Sequence, residues 1–180
     1  MKIEIKTERL VLKPLGIEYL DTVHEYASDI ENCRYMCYLP NADLDETRDF
    51  LLSCERECEK PEPEFFEFAV IYDEKHIGAV SATLYHDGAE AELGWIINKK
   101  YWGMGFATEA ARALIDYLSK EHDINAFVAH CDSENHASYR VMEKLGMKRS
   151  GEWYGRKNRS SDEDRCEYQY KMKKTLTKGV

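Results

Sequence analysis

The sequence predicts a mixed α/β domain of the α+β kind, with strands dominating the middle and the end. Three observations predict it. Residues 65–97 hold three apolar runs broken by short polar turns, "FFEFAVIYDEKHIGAVSATLY" followed by "HDGAEAELGWII", and consecutive strands with short turns form an antiparallel meander. Just after a pair of glycines, apolar residues recur at helical spacing through 107–118. The last third then reads as a short apolar strand, a helix and two more strands.

The elements follow in order. "MKIEIKTERL" alternates apolar and charged residues, which predicts a strand; a signal peptide needs a continuous apolar segment. "TERLVLKPL" (7–15) sets Leu10 and Leu12 against charged neighbours, again a strand. Leu20, Val23 and Ala27 predict a helix from Ile17 to about Ala27. A second helix follows Asn41, with Leu44, Phe50, Leu51 and Cys54 sharing one side, and "KPEPE" (60–64) ends it because proline cannot continue a helix. The meander turns at "DEKH" (73–76) and again after His86. Ala107, Ala111, Leu114, Ile115 and Leu118 make the stripe of the next helix, read from Thr108. "NAFVAHC" (125–131) is a strand, and "HASYRVMEKLG" (136–146) a helix closed by Gly146. "MKRSGEWY" and "RCEYQYKM" (165–172) are the final strands, the second alternating Cys166, Tyr168, Tyr170 and Met172, with 155–164 an exposed loop between them.

One hundred and eighty residues fit a single domain, 1–180, able to bury a sizeable core. A 43% hydrophobic content argues against disorder. No apolar run approaches the ~20 residues of a membrane span. A net charge of −9 without a basic stripe argues against nucleic acid and would mildly attract cationic substrates. The six cysteines, with no signal peptide, point to cytoplasmic free thiols. Cys33/Cys37 and Cys54/Cys58 are each four apart and could share a helix face, so zinc is the competing reading. The close spacing of zinc ribbons is absent, and no metal is expected.

The glycine pair carries the chemistry. Gly103 and Gly105 stand between the strand "AELGWIIN" (91–98) and the following helix. A helix N-terminus offers unpaired amides and partial positive charge, and glycines let an anion approach them. A phosphate cradle and a plain tight turn are both open readings. A P-loop is excluded because Phe106 and Ala107 stand where Lys and Ser or Thr are required, and a dinucleotide fingerprint because Thr108 stands where a third glycine or alanine belongs.

The string "YWGMGFATEA" (101–110) resembles the acyl-CoA loop of the GCN5-related N-acetyltransferases (GNAT), in the branch of the ribosomal-protein N-terminal acetyltransferases. "TERLVLKPL" resembles that family's opening strand, "AELGWIIN" its fourth strand, and "NHASYRVMEKLGM" (135–147) its second CoA-contacting segment. The resemblance spans nearly the whole chain and implies the GNAT fold, a central mostly antiparallel sheet flanked by helices. Trp102 replaces the Gln or Arg of wider members, as is ordinary in this branch.

The resemblance implies acetyl-CoA as co-substrate. Backbone amides around Trp102, Gly103, Met104, Gly105, Phe106, Ala107 and Thr108 would hold its pyrophosphate. The backbone of Trp95, Ile96 and Ile97 would pair with the pantetheine arm, with an amide near Ile97 as oxyanion donor. Asn135 would bind the arm and Ser138 would approach the sulfur, although both residues also suit a helix N-terminus. Glu92, at the head of the fourth strand, is the candidate general base; a surface strand residue is its other reading. Where many members carry a tyrosine acid, this chain has Met142, leaving Ser138, Tyr139 or water. His130 and His136 read as solvent or packing residues, since no partner carboxylate is evident beside them.

The expected activity is acetyl transfer to a primary amine, first a protein N-terminal α-amine of ribosomal-protein type. A small amine such as a polyamine, amino sugar or antibiotic is the alternative, and a non-catalytic acyl-CoA-binding protein competes from another class. Residues 29–64 are expected to shape the acceptor side. Neither nucleic acid nor membrane is an expected partner. Oligomeric state stays open, a homodimer included.

Overall fold

Eight strands line up as one sheet in the order β1-β2-β3-β4-β5-β6-β8-β7 in the computed structural model, which describes residues 3–85 and 88–174. The strands are β1 (Ile5–Lys6), β2 (Leu10–Pro14), β3 (Phe65–Tyr72), β4 (Lys75–Tyr85), β5 (Glu90–Ile97), β6 (Ala126–Asp132), β7 (Lys148–Arg156) and β8 (Arg165–Lys173). The helices are α1 (Leu20–Ala27), α2 (Leu44–Cys58), α3 (Phe106–Glu121) and α4 (His136–Lys144). Neighbouring strands are antiparallel except β5 and β6, which run parallel on either side of the α3 crossover. The predicted meander is β3-β4-β5, its first turn closed by Asp73 and Glu74 at positive φ. His86 and Asp87 of its second turn lie outside the described residues, as do Met1 and Lys2 of the predicted N-terminal strand.

Each face of the sheet buries its own core. Leu12, Phe68, Val80, Leu93 and Phe127 pack against Phe106, Leu114, Leu118 and Met142 of α3 and α4. On the other face Leu15, Ala69 and Ala79 meet Val23, Tyr26, Leu51 and Cys54 of α1 and α2. Burying a leucine or phenylalanine contributes about 1.5–3 kcal/mol each, so the α3 stripe is a principal attachment of that helix.

Four expectations are corrected. The opening strand is broken: Leu10 N–H and Arg9 N–H donate to Thr7 Oγ1 (2.8 and 3.3 Å), so a turn separates β1 from β2. In α2, Leu44 and Phe50 are exposed, and the buried face is Thr47, Leu51, Cys54 and Glu57. Thr47 is tolerated inside because its hydroxyl meets His24 Nδ1 and Asn41 Nδ2, both at 2.8 Å. Cys33 and Cys37 share no helix: Cys33 lies in a turn, where its Sγ–H donates to Tyr26 O (3.2 Å). The glycine-turn helix begins at Phe106 rather than Thr108.

The feature that positions the site is the short β5–β6 pairing. It runs only from Glu90–Ala126 to Glu92–Val128; beyond that the strands part. Asn98 N–H donates across to Ile77 O of β4 (2.8 Å). Alternation along the strand therefore turns the amides of Trp95 and Ile97 the other way, into the gap.

Candidate active site

A cleft of about 560 Å³ opens at the gap, within the range of small-ligand sites. Its walls are Trp95, Ile96 and Ile97, the glycine turn from Trp102 to Thr108 apart from Met104, the start of α4 including Asn135 and Ser138, and loop residues such as Asn32 and Tyr35. The structure thus brings the residues predicted for the acyl-CoA side around one cleft, except Met104, which does not line it.

Gly103 and Gly105 have φ of +77° and +81°, the left-handed region that favours glycine. A Cβ at Gly103 would meet nothing within 4 Å, and one at Gly105 only Arg9 Nη2 at 3.6 Å. Backbone conformation demands the glycines, and the space above them is open. Gly105 caps α3 with no side-chain bond. Among the described residues, no protein acceptor takes the amides of Gly103 to Thr108. Such a row of free amides at a helix start fits a phosphate group. Trp102, although exposed, ties the turn back to β5: its indole N–H donates to Ile97 O (2.7 Å), which also accepts from Asn32 Nδ2 (3.3 Å).

At the second segment Asn135 is the N-cap of α4, its Oδ1 accepting from Ser138 N–H (3.1 Å). Only its Nδ2 remains to face a ligand. Met142 is fully buried in the core, so the usual acid position holds no polar group. Tyr139 packs between His136 and Tyr168, with ring centroids 5.4 and 6.3 Å away.

Glu92 lies on the opposite face of the sheet, in a setting the sequence did not disclose. His130 Nδ1 is 2.9 Å from Glu92 Oε1, and its Nε2 is 3.0 Å from Gln169 Nε2. The register explains it: Glu92 pairs with Val128, two residues before His130, and His130 pairs with Gln169 on β8. The hydrogen bond to His130 holds the Glu92 carboxyl below its ordinary value, and the same bond raises the imidazole. Trp153 of β7 stands 6.3 Å from the His130 ring. The absence of a nearby carboxylate for His130 is therefore corrected; only the strand pairing between distant segments could have revealed it. His136 remains exposed.

The other acids near this face are occupied. Glu90 pairs with Lys171, Glu167 with Arg156, and buried Asp132 with Arg165 (3.0 Å) and Asn158 (2.6 Å). Glu67, on β3 opposite Ser81, is pushed by desolvation up to about 8, so it is mostly uncharged at neutral pH. Among the described residues no three His, Cys, Asp or Glu side chains converge as metal ligands would. No described helix is long and apolar enough to cross a membrane.

Residues 9–148 match the model of the acetyltransferase (GNAT) domain. The uncharacterized N-acetyltransferase YnaD of Bacillus subtilis is 32% identical over 149 residues, 82% of this chain and 84% of the relative. A GNAT-family acetyltransferase from Bacillus anthracis superposes with a TM-score of 0.81 at 31% identity, covering 95% of this chain and 98% of that one. RimL, a ribosomal α-N-protein acetyltransferase solved in complex with coenzyme A, shares the fold with a TM-score of 0.80 at 16% identity, over 93% and 97% of the two chains. The broken parallel pair, the free amides of the glycine turn and these matches lead to one conclusion: the chain belongs to the GNAT family and is an acetyl-CoA-dependent N-acetyltransferase.

Proposed function

We propose that the chain acetylates an amine carrying a single positive charge, first of all a protein N-terminal α-amine. The observation that carries this reading is the charge inventory of the Glu92 face. Glu90, Asp132 and Glu167 are each neutralised by a cation, and Glu67 is mostly protonated near pH 7. Among these described acids, Glu92 is the one whose partner is an imidazole rather than a lysine or arginine, and it is the one left to meet an ammonium. A polyamine carries several charges and needs several free carboxylates, whereas an α-amine carries one.

The chemistry follows from the two sides of the gap. Acetyl-CoA lies as substrate with its pyrophosphate on the amides of Gly103 to Thr108 and its arm along Trp95 to Ile97, where the Ile97 amide faces the thioester carbonyl. Asn135 Nδ2 binds the arm, and Ser138 stands near the leaving sulfur. The amine arrives from the Glu92 face. An α-amine with pKa ~8 is about one-tenth neutral at pH 7. As the C–N bond forms, the nitrogen becomes a much stronger acid. Glu92, although a weak base while bonded to His130, then suffices to take the proton. The test is an acetyl-CoA assay across peptides with Ala, Ser or Met N-termini and a panel of monoamines and polyamines. Turnover confined to polyamines would overturn the single-charge reading; turnover of monoamines over peptides would move it to a small-molecule acceptor.

A further inference from the structure

The turn between β1 and β2 reaches across to the glycine turn, and nothing in the acetyl transfer itself requires that contact. Arg9 Nη1–H donates to Met104 O (3.0 Å). Its Nε–H donates to Glu109 Oε2 (2.7 Å), and Nη2 lies 2.6 Å from the same oxygen. The other Glu109 oxygen accepts from Arg9 N–H (3.0 Å) and from the Thr7 hydroxyl (2.6 Å). The guanidinium also stacks on Phe106, 4.6 Å from the ring centroid.

We propose that Arg9 is a positioning residue for the pyrophosphate-binding turn, acting through Met104 O and Glu109. The proposal rests on the reading of that turn as the acyl-CoA site. Two physical arguments carry it. A trans peptide sets its carbonyl and amide in opposite directions. With Met104 O drawn to Arg9, the Gly105 N–H points away from Arg9. Second, Glu109 stands in the first turn of α3, where its charge stabilises the free helix end but opposes an incoming phosphate. Burial works against the Glu109 charge, yet Thr7 and Arg9 outweigh it and hold the carboxyl below its ordinary value. The charge-assisted contact of Nε and Nη2 on the one oxygen, Oε2, cancels that charge toward the site. Arg9 thus fixes the amide direction and removes a repulsion without itself binding phosphate.

The experiment is NMR titration of the full chain with CoA and with pantetheine, which lacks the pyrophosphate; the method reads millimolar affinities. Arg9→Ala is expected to weaken CoA about tenfold, the scale of one charge-assisted hydrogen bond, and to leave pantetheine unchanged. Arg9→Lys keeps the charge but not the fork; it serves if the alanine variant does not fold, and is expected to weaken CoA while sparing pantetheine. Equal weakening of CoA and pantetheine overturns the proposal in favour of a general structural role. An unmutated chain that binds CoA no better than pantetheine overturns the pyrophosphate reading of the turn instead.

Discussion

The two sides of the β5–β6 gap are built on different principles. The side proposed for acyl-CoA is made of backbone: amides of Gly103 to Thr108 and of Trp95 and Ile97, aimed by a left-handed turn and a strand edge. The Glu92 side is made of side chains drawn from β5, β6, β7 and β8, with Glu92, His130 and Gln169 in a row. Backbone donors are indifferent to most side-chain identities, so that half can serve a whole family with one substrate. Side-chain donors change with each substitution, so the acceptor half is where members diverge.

This contrast is open to direct attack. Glu92→Gln keeps size and removes the acceptor of the proton. It is expected to lower turnover on a verified acceptor by ~10²–10⁴-fold, with CoA affinity unchanged because the two sides are separate. A variant with unchanged turnover at neutral pH removes Glu92 from the chemistry. Gly105→Val attacks the other side. It forces a β-branched residue to positive φ and disturbs two or more amide donors, so CoA affinity should fall on the order of 100-fold by calorimetry. The His130 ring resonances should stay in place. A shift of those resonances would join what the structure keeps apart.

Asn135 separates two roles in one residue. Asn135→Ala loses the helix cap and should cost about 1 kcal/mol of stability together with CoA affinity. Asn135→Asp keeps the capping oxygen and loses the amide donors, so it should retain the melting temperature and still bind CoA more weakly. Full CoA affinity in the aspartate variant would leave Asn135 as a cap only.

The smallest expected effect is a pH dependence. Glu92 titrates below its ordinary value and His130 above it. The pair is therefore charged on both partners between about pH 4.3 and 6.5, and its stabilisation is fully present there. It fades as pH falls through the Glu92 value and as pH rises through the His130 value. The melting-temperature difference between the chain and His130→Gln should peak near about pH 5.5 and shrink by about pH 9. A difference that stays flat between those limits would mean that the pair carries no charge coupling.

Legibility in the sequence followed the same division. Local signals announced what backbone builds: the Gly103/Gly105 spacing, the α3 stripe, the Gly146 cap and the meander all lie within short windows. The break at Thr7 escaped because its cause is a hydroxyl bonded to Leu10 and to Glu109, more than a hundred residues away. Leu44 and Phe50 were misplaced because apolar spacing was counted without Thr47, a polar residue buried through His24 and Asn41. His130 read as a bystander because its partner, Glu92, becomes a neighbour only through the parallel β5–β6 register. Occupation of Glu90 and Glu167 by Lys171 and Arg156 was equally hidden, since each pair joins separate strands.

The parting of β5 from β6 also has a thermodynamic consequence. The sheet consists of a five-strand leaf, β1 to β5, and a three-strand leaf, β6, β8 and β7, sharing only the pairs from Glu90–Ala126 to Glu92–Val128. Backbone amides at Trp95 and Ile97, central in strand order, lie beyond the end of the β5–β6 pairing, as they would at a sheet margin. A pantetheine arm bound there as proposed would occupy those amides and reach α4 on the far leaf, which would link occupancy to folding. At a free concentration of 100 times Kd the linkage is worth about 2.7 kcal/mol. Slowed deuterium exchange at Trp95 and Ile97 would report it residue by residue. On the proposed placement, the supply of acyl-CoA would enter the stability of the chain as well as its rate.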